Sequence, residues 1–141
     1  MTERTLTIIK PECVEHKHVG DIIQRIEKAG FDILGMKMVH LHPADAEQFY
    51  LVHKGKPFYE ELVEYMSSGK VVVMVLRKEN CIESFRNFIG ATNPENAEEG
   101  TIRKDFGTNI QLNCVHASDS GENAAKEIGF FFTGREIIEC E

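Results

Sequence analysis

The chain has 141 residues, of which 42% are hydrophobic and 28% are charged, and its formal net charge is −7. This length and composition are typical of one globular domain, expected over residues 1–141, and they exclude a disordered or fibrous protein. The negative charge argues against a broad nucleic-acid surface, and no apolar run approaches the ~18 residues of a membrane helix.

The first half of the chain predicts two strands and three helices. The strands are residues 5–10, which end at Pro11, and residues 32–41, whose two faces are both expected to be covered. Apolar residues at helical spacing predict the three helices, at residues 19–29, 43–52 and 59–66.

The second half has one unmistakable element, the continuous apolar run of residues 71–76, which is typical of a central strand. Residues 90–108 are rich in Gly, Pro, Asn and charge, and loops this long in a compact domain are usually functional. Shorter patterns predict a helix, a strand and a second helix, at residues 82–89, 112–116 and 123–129. Ser118 or Ser120 is the expected cap of the last helix.

The order of these elements predicts an α/β sandwich (α+β) of the ferredoxin-like βαββαβ kind, with added helices. We expect a four-stranded antiparallel sheet with helices on one side. The polar start of the chain lacks the apolar segment of a signal peptide, so the expected compartment is cytoplasmic.

Cysteine and histidine spacings do not predict a metal site. The cysteines have no CxxC spacing and are expected to be reduced thiols, at positions Cys13, Cys81, Cys114 and Cys140. Two histidine pairs stand two residues apart and are expected to be surface residues rather than ligands, namely His16 with His18 and His40 with His42.

His116 is the candidate nucleophile, because a short apolar segment carries it into a polar turn that contains Ser118 and Ser120. An imidazole nucleophile needs one free nitrogen and a partner that orients the other, and Glu127 is a candidate partner. A structural histidine is the plainer interpretation. The two serines also suggest acyl transfer, but no GxSxG motif occurs.

Arginine and lysine side chains are the candidates for holding an anion. The guanidinium groups of Arg86 and Arg103 suit phosphate oxygens, Lys10 stands at the end of the first strand, and Thr92 could add a hydroxyl. Neither GxxxxGK[ST] nor GxGxxG occurs, so any nucleotide must be held by side chains.

Residues 113–120, Asn-Cys-Val-His-Ala-Ser-Asp-Ser, resemble the active-site signature of nucleoside diphosphate kinases, and the resemblance runs nearly end to end. It implies a ping-pong reaction in which His116 takes the γ-phosphoryl group of a nucleoside triphosphate and passes it to a diphosphate. It implies further catalytic roles for Lys10, Tyr50, Ser118 and Glu127. It implies nucleotide contacts from Lys10, Phe58, Leu62, Arg86, Thr92, Arg103, Ile110 and Asn113.

In more detail, the resemblance implies that Lys10 and Asn113 reach the ribose and that Phe58 and Ile110 face the base, with broad base and sugar tolerance. Mg²⁺ would enter with the nucleotide phosphates rather than occupy a protein cage. The implied partners are nucleoside di- and triphosphates and further copies of the chain, in a tetramer or a hexamer, with no nucleic acid and no membrane. The short tail after Arg135 resembles bacterial-type members.

Three positions depart from the family's usual pattern: Glu12, Leu112 and Ala117 stand where aspartate, a basic or small residue, and glycine are common. They put fine substrate handling in doubt rather than the reaction. Two other hypotheses stay open on the residues alone, a catalytically silent ligand-binding module and an acyl hydrolase that uses Ser118 or Ser120.

Overall fold

The computed structural model describes residues 2–139, and the prediction for Cys140 lies outside that range. The described residues form four strands, β1 (Thr2–Ile9), β2 (Asp32–His40), β3 (Lys70–Glu79) and β4 (Val115–Ala117). They also form seven α-helices, α1 (Pro11–Glu15), α2 (Val19–Lys28), α3 (Pro43–Phe49), α4 (Tyr59–Met66), α5 (Cys81–Ile89), α6 (Ile102–Phe106) and α7 (Gly121–Phe131).

The four strands form one antiparallel sheet in the order β2-β3-β1-β4. Strand β1 lies at the centre beside β3, and its Ile8 is paired with His116 of β4. This arrangement is the ferredoxin-like fold with added helices, and it confirms the predicted fold class. It also brings the end of β1 next to the last strand, where the candidate nucleophile lies.

Helices cover both faces of the sheet, so the expectation of helices on one side is wrong. On one face, Met74 of β3 packs in a cluster with Ile22 of α2 and Phe85 of α5. On the other face, Val73 packs in a cluster that draws on α3, α4 and α7. The reason is that β3 is apolar at every position from 71 to 76, and a strand of this kind needs cover on both sides.

Strand β2 differs from the prediction that both of its faces are covered. Leu34 is buried, but Met36 and Met38 are each 53% exposed. The reason is its position at the edge of the sheet, where α2 and α5 do not reach these methionines. The described surface therefore has an apolar patch on an edge strand.

The predicted helices are found close to their expected bounds, and the prediction for residues 59–66 coincides with α4. The long segment of residues 90–108 contains one short α-helix, α6, and one turn of 3-10 helix at Pro94–Asn96. Helix α1 also had no predicted counterpart. The last strand begins at Val115 rather than at residue 112, because Cys114 has a φ of 76° and leaves the extended region.

The thiols of Cys13, Cys81 and Cys114 are free and buried. Between residues 2 and 139, none of the helices has the length and apolar character needed to span a bilayer. The candidate site lies where the end of β1 meets the edge strand β4.

Candidate active site

His116 lies on β4, and a carboxylate holds one nitrogen of its imidazole ring. Its Nε2 is 2.8 Å from Oε1 of Glu127, a residue of α7. The Ser118 hydroxyl donates to the same carboxylate oxygen at 2.7 Å, and Thr7 donates to the backbone carbonyl of His116 at 2.8 Å. Because a carboxylate only accepts, we assign the ring proton to Nε2, and no described residue hydrogen-bonds Nδ1. The predicted partnership of His116 and Glu127 is present in the structure.

A cavity of about 430 Å³ brings together most of the residues that the sequence singled out. Its lining includes Lys10, Tyr50, Phe58, Leu62, Thr92, Arg103, Ile110, Asn113 and His116. Arg86 and Glu127 line the adjoining space, which His116 also borders. Ser118 lies behind the histidine and is fully buried. The chain segments that contribute are far apart in sequence, so the fold assembles the cavity.

Lys10 is the buried cation of this cavity, with 7% of its surface exposed. Its Nζ donates to Oδ1 of Asn113 at 2.7 Å, and Asn113 in turn donates to the carbonyl of Thr92 at 3.0 Å. Burial, together with the nearby charge of Arg103, lowers the pKa of Lys10 to about 8. The ammonium is therefore desolvated before any ligand arrives, which strengthens its attraction for an anion.

Arg103 is the second buried cation and is held by backbone carbonyls. Its guanidinium donates to the carbonyls of Val115 at 2.8 Å, Gly90 at 3.2 Å and Asn113 at 3.3 Å. Burial, and then the charge of Arg86, lowers the pKa of Arg103 to about 10. These three bonds leave two of the five N–H groups of the fork for another partner.

Tyr50 lies beside His116, with ring centroids 6.3 Å apart, and is buried. Its hydroxyl has no partner among the described residues. Burial, and then the charge of Glu127, raises the pKa of Tyr50 above its usual range. The hydroxyl is thus a neutral, unpaired donor at the cavity, and a buried polar group of this kind needs a partner.

Apolar side chains line the outer end of the cavity. Phe58, which precedes α4, is 46% exposed, and Ile110 is 62% exposed. Leu62 follows Phe58 by one helical turn on α4 and packs against the core. An exposed aromatic ring and an exposed aliphatic side chain at one cavity mouth suit a flat apolar ring.

Sequence reasoning missed three residues near His116, namely His53, Lys56 and Asp119, which line the adjoining space. The ring centroid of His53 is 5.3 Å from that of Phe58, and burial followed by the charge of Lys56 lowers the pKa of His53. In the sequence, His53 and Lys56 lie in the turn before Phe58, and Asp119 lies in the turn after His116. No rule of residue spacing separates such positions from other polar turn residues.

The other histidines have structural contacts. His42 caps α3, where its Nδ1 accepts from the backbone N–H of Ala44 at 3.1 Å. His40 Nε2 lies 3.0 Å from the carbonyl of Ser67, and His18 packs on Phe106. Within residues 2–139, no group of three or more His, Cys, Asp or Glu side chains could hold a metal ion.

The serines do not form a hydrolase site. Ser118 donates to Glu127 rather than to a histidine, and Ser120 accepts from Asn123 as the cap of α7. Ser118 is fully buried and Ser120 caps α7, so neither hydroxyl is placed as an accessible nucleophile beside a histidine. The acyl-hydrolase hypothesis therefore has no support among these contacts.

A histidine that a carboxylate orients, close to two buried cations, is suited to phosphoryl transfer. Comparison with known proteins then gives the family. Residues 3–137 match the family model described as nucleoside diphosphate kinase, and the chain belongs to that family.

Relatives support this assignment along nearly the whole chain. The chain is 53% identical over 137 residues to the nucleoside diphosphate kinase of Salinibacter ruber, covering 97% of this chain and 96% of the relative. It is 54% identical over 136 residues to that of Geobacter sulfurreducens, covering 96% and 99%.

Solved structures agree with the fold. The Aquifex aeolicus nucleoside diphosphate kinase superposes with a TM-score of 0.96 at 45% identity, over 98% of this chain and 100% of that chain. The Halobacterium salinarum enzyme in complex with CDP has a TM-score of 0.95 at 33% identity, over 100% and 94%. The chain is therefore a kinase that transfers the γ-phosphoryl group between nucleotides by the family's ping-pong mechanism.

Proposed function

We propose that His116 is the nucleophile of this transfer and that Glu127 orients it. The observation that carries the proposal is the 2.8 Å contact between Nε2 and Glu127, which leaves the Nδ1 lone pair free. Nδ1 attacks the γ-phosphorus, and the bond from that phosphorus to the β–γ bridging oxygen breaks. The leaving nucleoside diphosphate keeps the bond electrons. The second half-reaction reverses these steps on a different diphosphate.

Glu127 acts on the charge of the ring as phosphorylation proceeds. An imidazole that loses its lone pair to phosphorus becomes cationic, and a carboxylate on Nε2–H stabilises that charge. The Ser118 hydroxyl keeps the carboxylate in place through its 2.7 Å bond. Ser118 is thus a supporting residue in the proposed mechanism rather than a second nucleophile.

Lys10, Arg86, Thr92 and Arg103 bind the phosphates in this proposal. They line one continuous region of the cavities around His116, and the two buried cations among them are already desolvated. Charge on the transferring phosphoryl group is spread over its oxygens, so fixed donors on several sides lower the barrier. Tyr50 has an unpaired hydroxyl beside the histidine and can donate to a phosphoryl oxygen.

We assign the sugar to Lys10 and Asn113, and the base to Phe58, Leu62 and Ile110. The base contacts are apolar, and stacking on an aromatic ring does not depend on the identity of the base. The proposed enzyme therefore accepts purine and pyrimidine nucleotides, with ribose or deoxyribose.

Mg²⁺ is proposed to bind together with the nucleotide. The described residues offer no cage of carboxylates or imidazoles, so phosphate oxygens and water must supply most of its ligands. When bound, the ion neutralises charge on the phosphates. The lysine and arginine side chains then position the nucleotide and stabilise the negative charge of the phosphates that Mg²⁺ does not neutralise.

A homo-oligomer, a tetramer or a hexamer, is the proposed assembly, and the cytoplasm is the proposed location because the substrates are nucleotides. The face of edge strand β2 on which Met36 and Met38 are exposed is the proposed contact between two copies. Light scattering of Met36→Glu is expected to give a smaller assembly than wild type, and an unchanged mass would contradict this contact.

The mechanism is tested with ATP labelled in the γ-phosphate. Label is expected to reach the protein, to leave again when GDP is added, and to be absent from His116→Ala. The protein-bound label is expected to be acid-labile and alkali-stable, as a phosphohistidine is. Acid-stable label, or transfer by His116→Ala above trace level, would refute the proposed nucleophile.

A further inference from the structure

The carboxylate of Glu12 joins three segments of the chain that meet behind the nucleotide cavity. Its Oε1 accepts from the Tyr65 hydroxyl of α4 at 3.0 Å and from the backbone N–H of Cys114 at 3.1 Å. The thiol of Cys13 lies 3.7 Å from the same oxygen. Burial, and then Glu12, raises the pKa of Tyr65, so its hydroxyl stays a donor.

Cys114 has an unfavourable backbone conformation. Its φ is 76°, in the left-handed region that a residue with a Cβ rarely adopts. Its N–H is held by Glu12, and its carbonyl accepts from the backbone N–H of Lys10 at 2.8 Å. Such a conformation persists only where neighbouring groups impose it. In this chain Glu12 of α1 and Lys10 hold Cys114 itself, and Arg103 of α6 binds the carbonyls of the residues on either side of it.

The conformation of Cys114 determines where its neighbours point. Asn113 immediately precedes it and binds Nζ of Lys10 at 2.7 Å. His116 follows two residues later on β4. A change of φ at Cys114 would therefore turn Asn113 away from Lys10 and shift the start of the strand that carries the histidine.

Glu12 also acts on Lys10 through its charge. Burial and the cation of Arg103 lower the pKa of Lys10, whereas Glu12 raises it, followed by weaker contributions of the same sign from Cys114 and Cys13. Glu12 therefore favours the ammonium form of Lys10 by its charge, as the Asn113 amide oxygen does through its 2.7 Å bond to Nζ.

We propose that Glu12 is a positioning residue of the transfer reaction, which holds Cys114 in the left-handed conformation that aligns Asn113 and Lys10 with the nucleotide. The proposal rests on the sugar and phosphate contacts assigned above to Asn113 and Lys10. Tyr65 fixes the carboxylate from α4, so the helix that carries Leu62 of the base site is tied to the strand of the nucleophile.

The backbone part is tested by rescue with glycine. Glu12→Ala is expected to slow single-turnover phosphorylation of His116 about tenfold to a hundredfold, the scale of a misplacement near 1 Å. Adding Cys114→Gly is expected to restore part of the rate, because glycine adopts this φ without steric cost. The double variant also loses a buried side chain, so its melting temperature is expected to fall while its rate rises.

A residue with a merely structural role would give the opposite pattern. The rate would then follow the melting temperature, and Cys114→Gly would lower both in the Glu12→Ala background. Absence of recovery, or a normal rate in Glu12→Ala itself, would overturn the backbone part of the proposal.

The electrostatic part is tested with Glu12→Gln, which keeps an acceptor oxygen and removes the charge. Its rate at pH 7 is expected to stay near that of wild type, while the alkaline limb of its kcat/KM profile moves to lower pH. The matched control is Glu15→Gln, which removes the same charge from an exposed position of α1 and is expected to leave the limb unmoved. Coincident limbs for wild type and Glu12→Gln would overturn this part.

Failure of this inference is distinguishable from failure of the proposed function. If wild type carries no label on His116, the proposed nucleophile is refuted. If His116 is labelled at the normal rate in Glu12→Ala and the alkaline limb of Glu12→Gln does not move, only the role of Glu12 is refuted.

Discussion

Arg86 and Arg103 line the same region of the site but differ in what they do for the folded chain. Arg103 is buried and binds three backbone carbonyls, whereas Arg86 is exposed. A buried carbonyl that loses its donor lowers stability. Replacing Arg103 therefore changes both the site and the fold, and replacing Arg86 mainly changes the site.

This difference predicts separate outcomes for the two alanine variants. Arg86→Ala is expected to lose about 2–4 kcal/mol of transition-state stabilisation with little change in melting temperature. Arg103→Ala is expected to lose at least as much and also about 1–3 kcal/mol of folding stability. Steady-state kinetics and thermal unfolding check both, with Lys104→Ala as the control for charge. Unchanged turnover of both variants would remove the two arginines from the site.

Lys10 and Asn113 give a second prediction at this scale, which concerns the sugar. If both contact the 3′-hydroxyl, that hydroxyl lies near the bridging oxygen, which gains negative charge as it leaves. A donor at this oxygen is worth more in the transition state than in the ground state. ATP and 2′-deoxy-ATP are expected to phosphorylate His116 at similar rates, and 3′-deoxy-ATP far more slowly at nearly normal affinity.

Single-turnover rates with the three nucleotides check this prediction. Asn113→Ala is the matched variant and is expected to lose part of the preference for the 3′-hydroxyl. Equal rates for all three nucleotides would refute this account of the leaving group and leave the nucleophile untouched.

Some site residues were predictable and others were not, for physical reasons. Glu127 lies on the helix that follows the strand of His116. Their contact was predictable because an imidazole nucleophile needs a partner that orients it. The pairing of Lys10 with Asn113 spans 103 positions, and only resemblance to a family could predict it. The φ of Cys114 was not predictable, because cysteine, unlike glycine or asparagine, gives no local signal of a left-handed conformation.

Helix α7 carries Glu127, the residue that binds His116, and begins at its N-cap Ser120. Ser120 accepts from the Asn123 N–H at 3.1 Å, and Glu127 follows near the middle of the helix. Sequence reasoning named two possible caps, and the structure selects Ser120. Ser118, two residues earlier, instead binds Glu127. The two serines therefore offer the same chemical change with two different consequences.

Ser120→Ala is expected to lower folding stability by about 0.5–2 kcal/mol, because an orphan N–H of α7 loses its acceptor. Its rate of His116 phosphorylation is expected to stay close to that of wild type. Ser118→Ala is expected to slow phosphorylation, since Glu127 loses the hydroxyl that holds it. Denaturant unfolding and single-turnover kinetics separate the two effects. A slower reaction in Ser120→Ala than in Ser118→Ala would contradict the assignment.

The accuracy of the predicted elements follows from their length. Helix α4 spans two turns with a clear apolar stripe, and the predicted bounds match it. Helices α1 and α6 have five residues each, too few for a period of 3.6 to be recognised. Both short helices begin beside a site residue, Lys10 before α1 and Arg103 within α6, so the weakest local signals occur where the site is built.

For the whole molecule, placing Lys10 in the interior links stability to pH. The folded-state pKa of Lys10 is about 8, below the ordinary value of 10.5, mainly because burial penalises the charged form. Below pH 8 the folded state carries the full cost of that charge. Between pH 8 and 10.5 the unfolded chain binds more protons than the folded chain, so this group makes stability rise with pH.

Activity is expected to change in the opposite direction, because neutral Lys10 attracts phosphate less. We expect kcat/KM to fall above about pH 8, while Lys10 contributes a stability slope of up to about 1.4 kcal/mol per pH unit between pH 8 and 10. The variant Lys10→Met, similar in length and without charge, is the control, since it lacks the titrating group. Denaturant unfolding of both proteins from pH 7 to 10 isolates the contribution as the difference between their curves. The gap in stability between Lys10→Met and wild type is expected to narrow as pH rises, and parallel curves would show that Lys10 titrates normally in the fold.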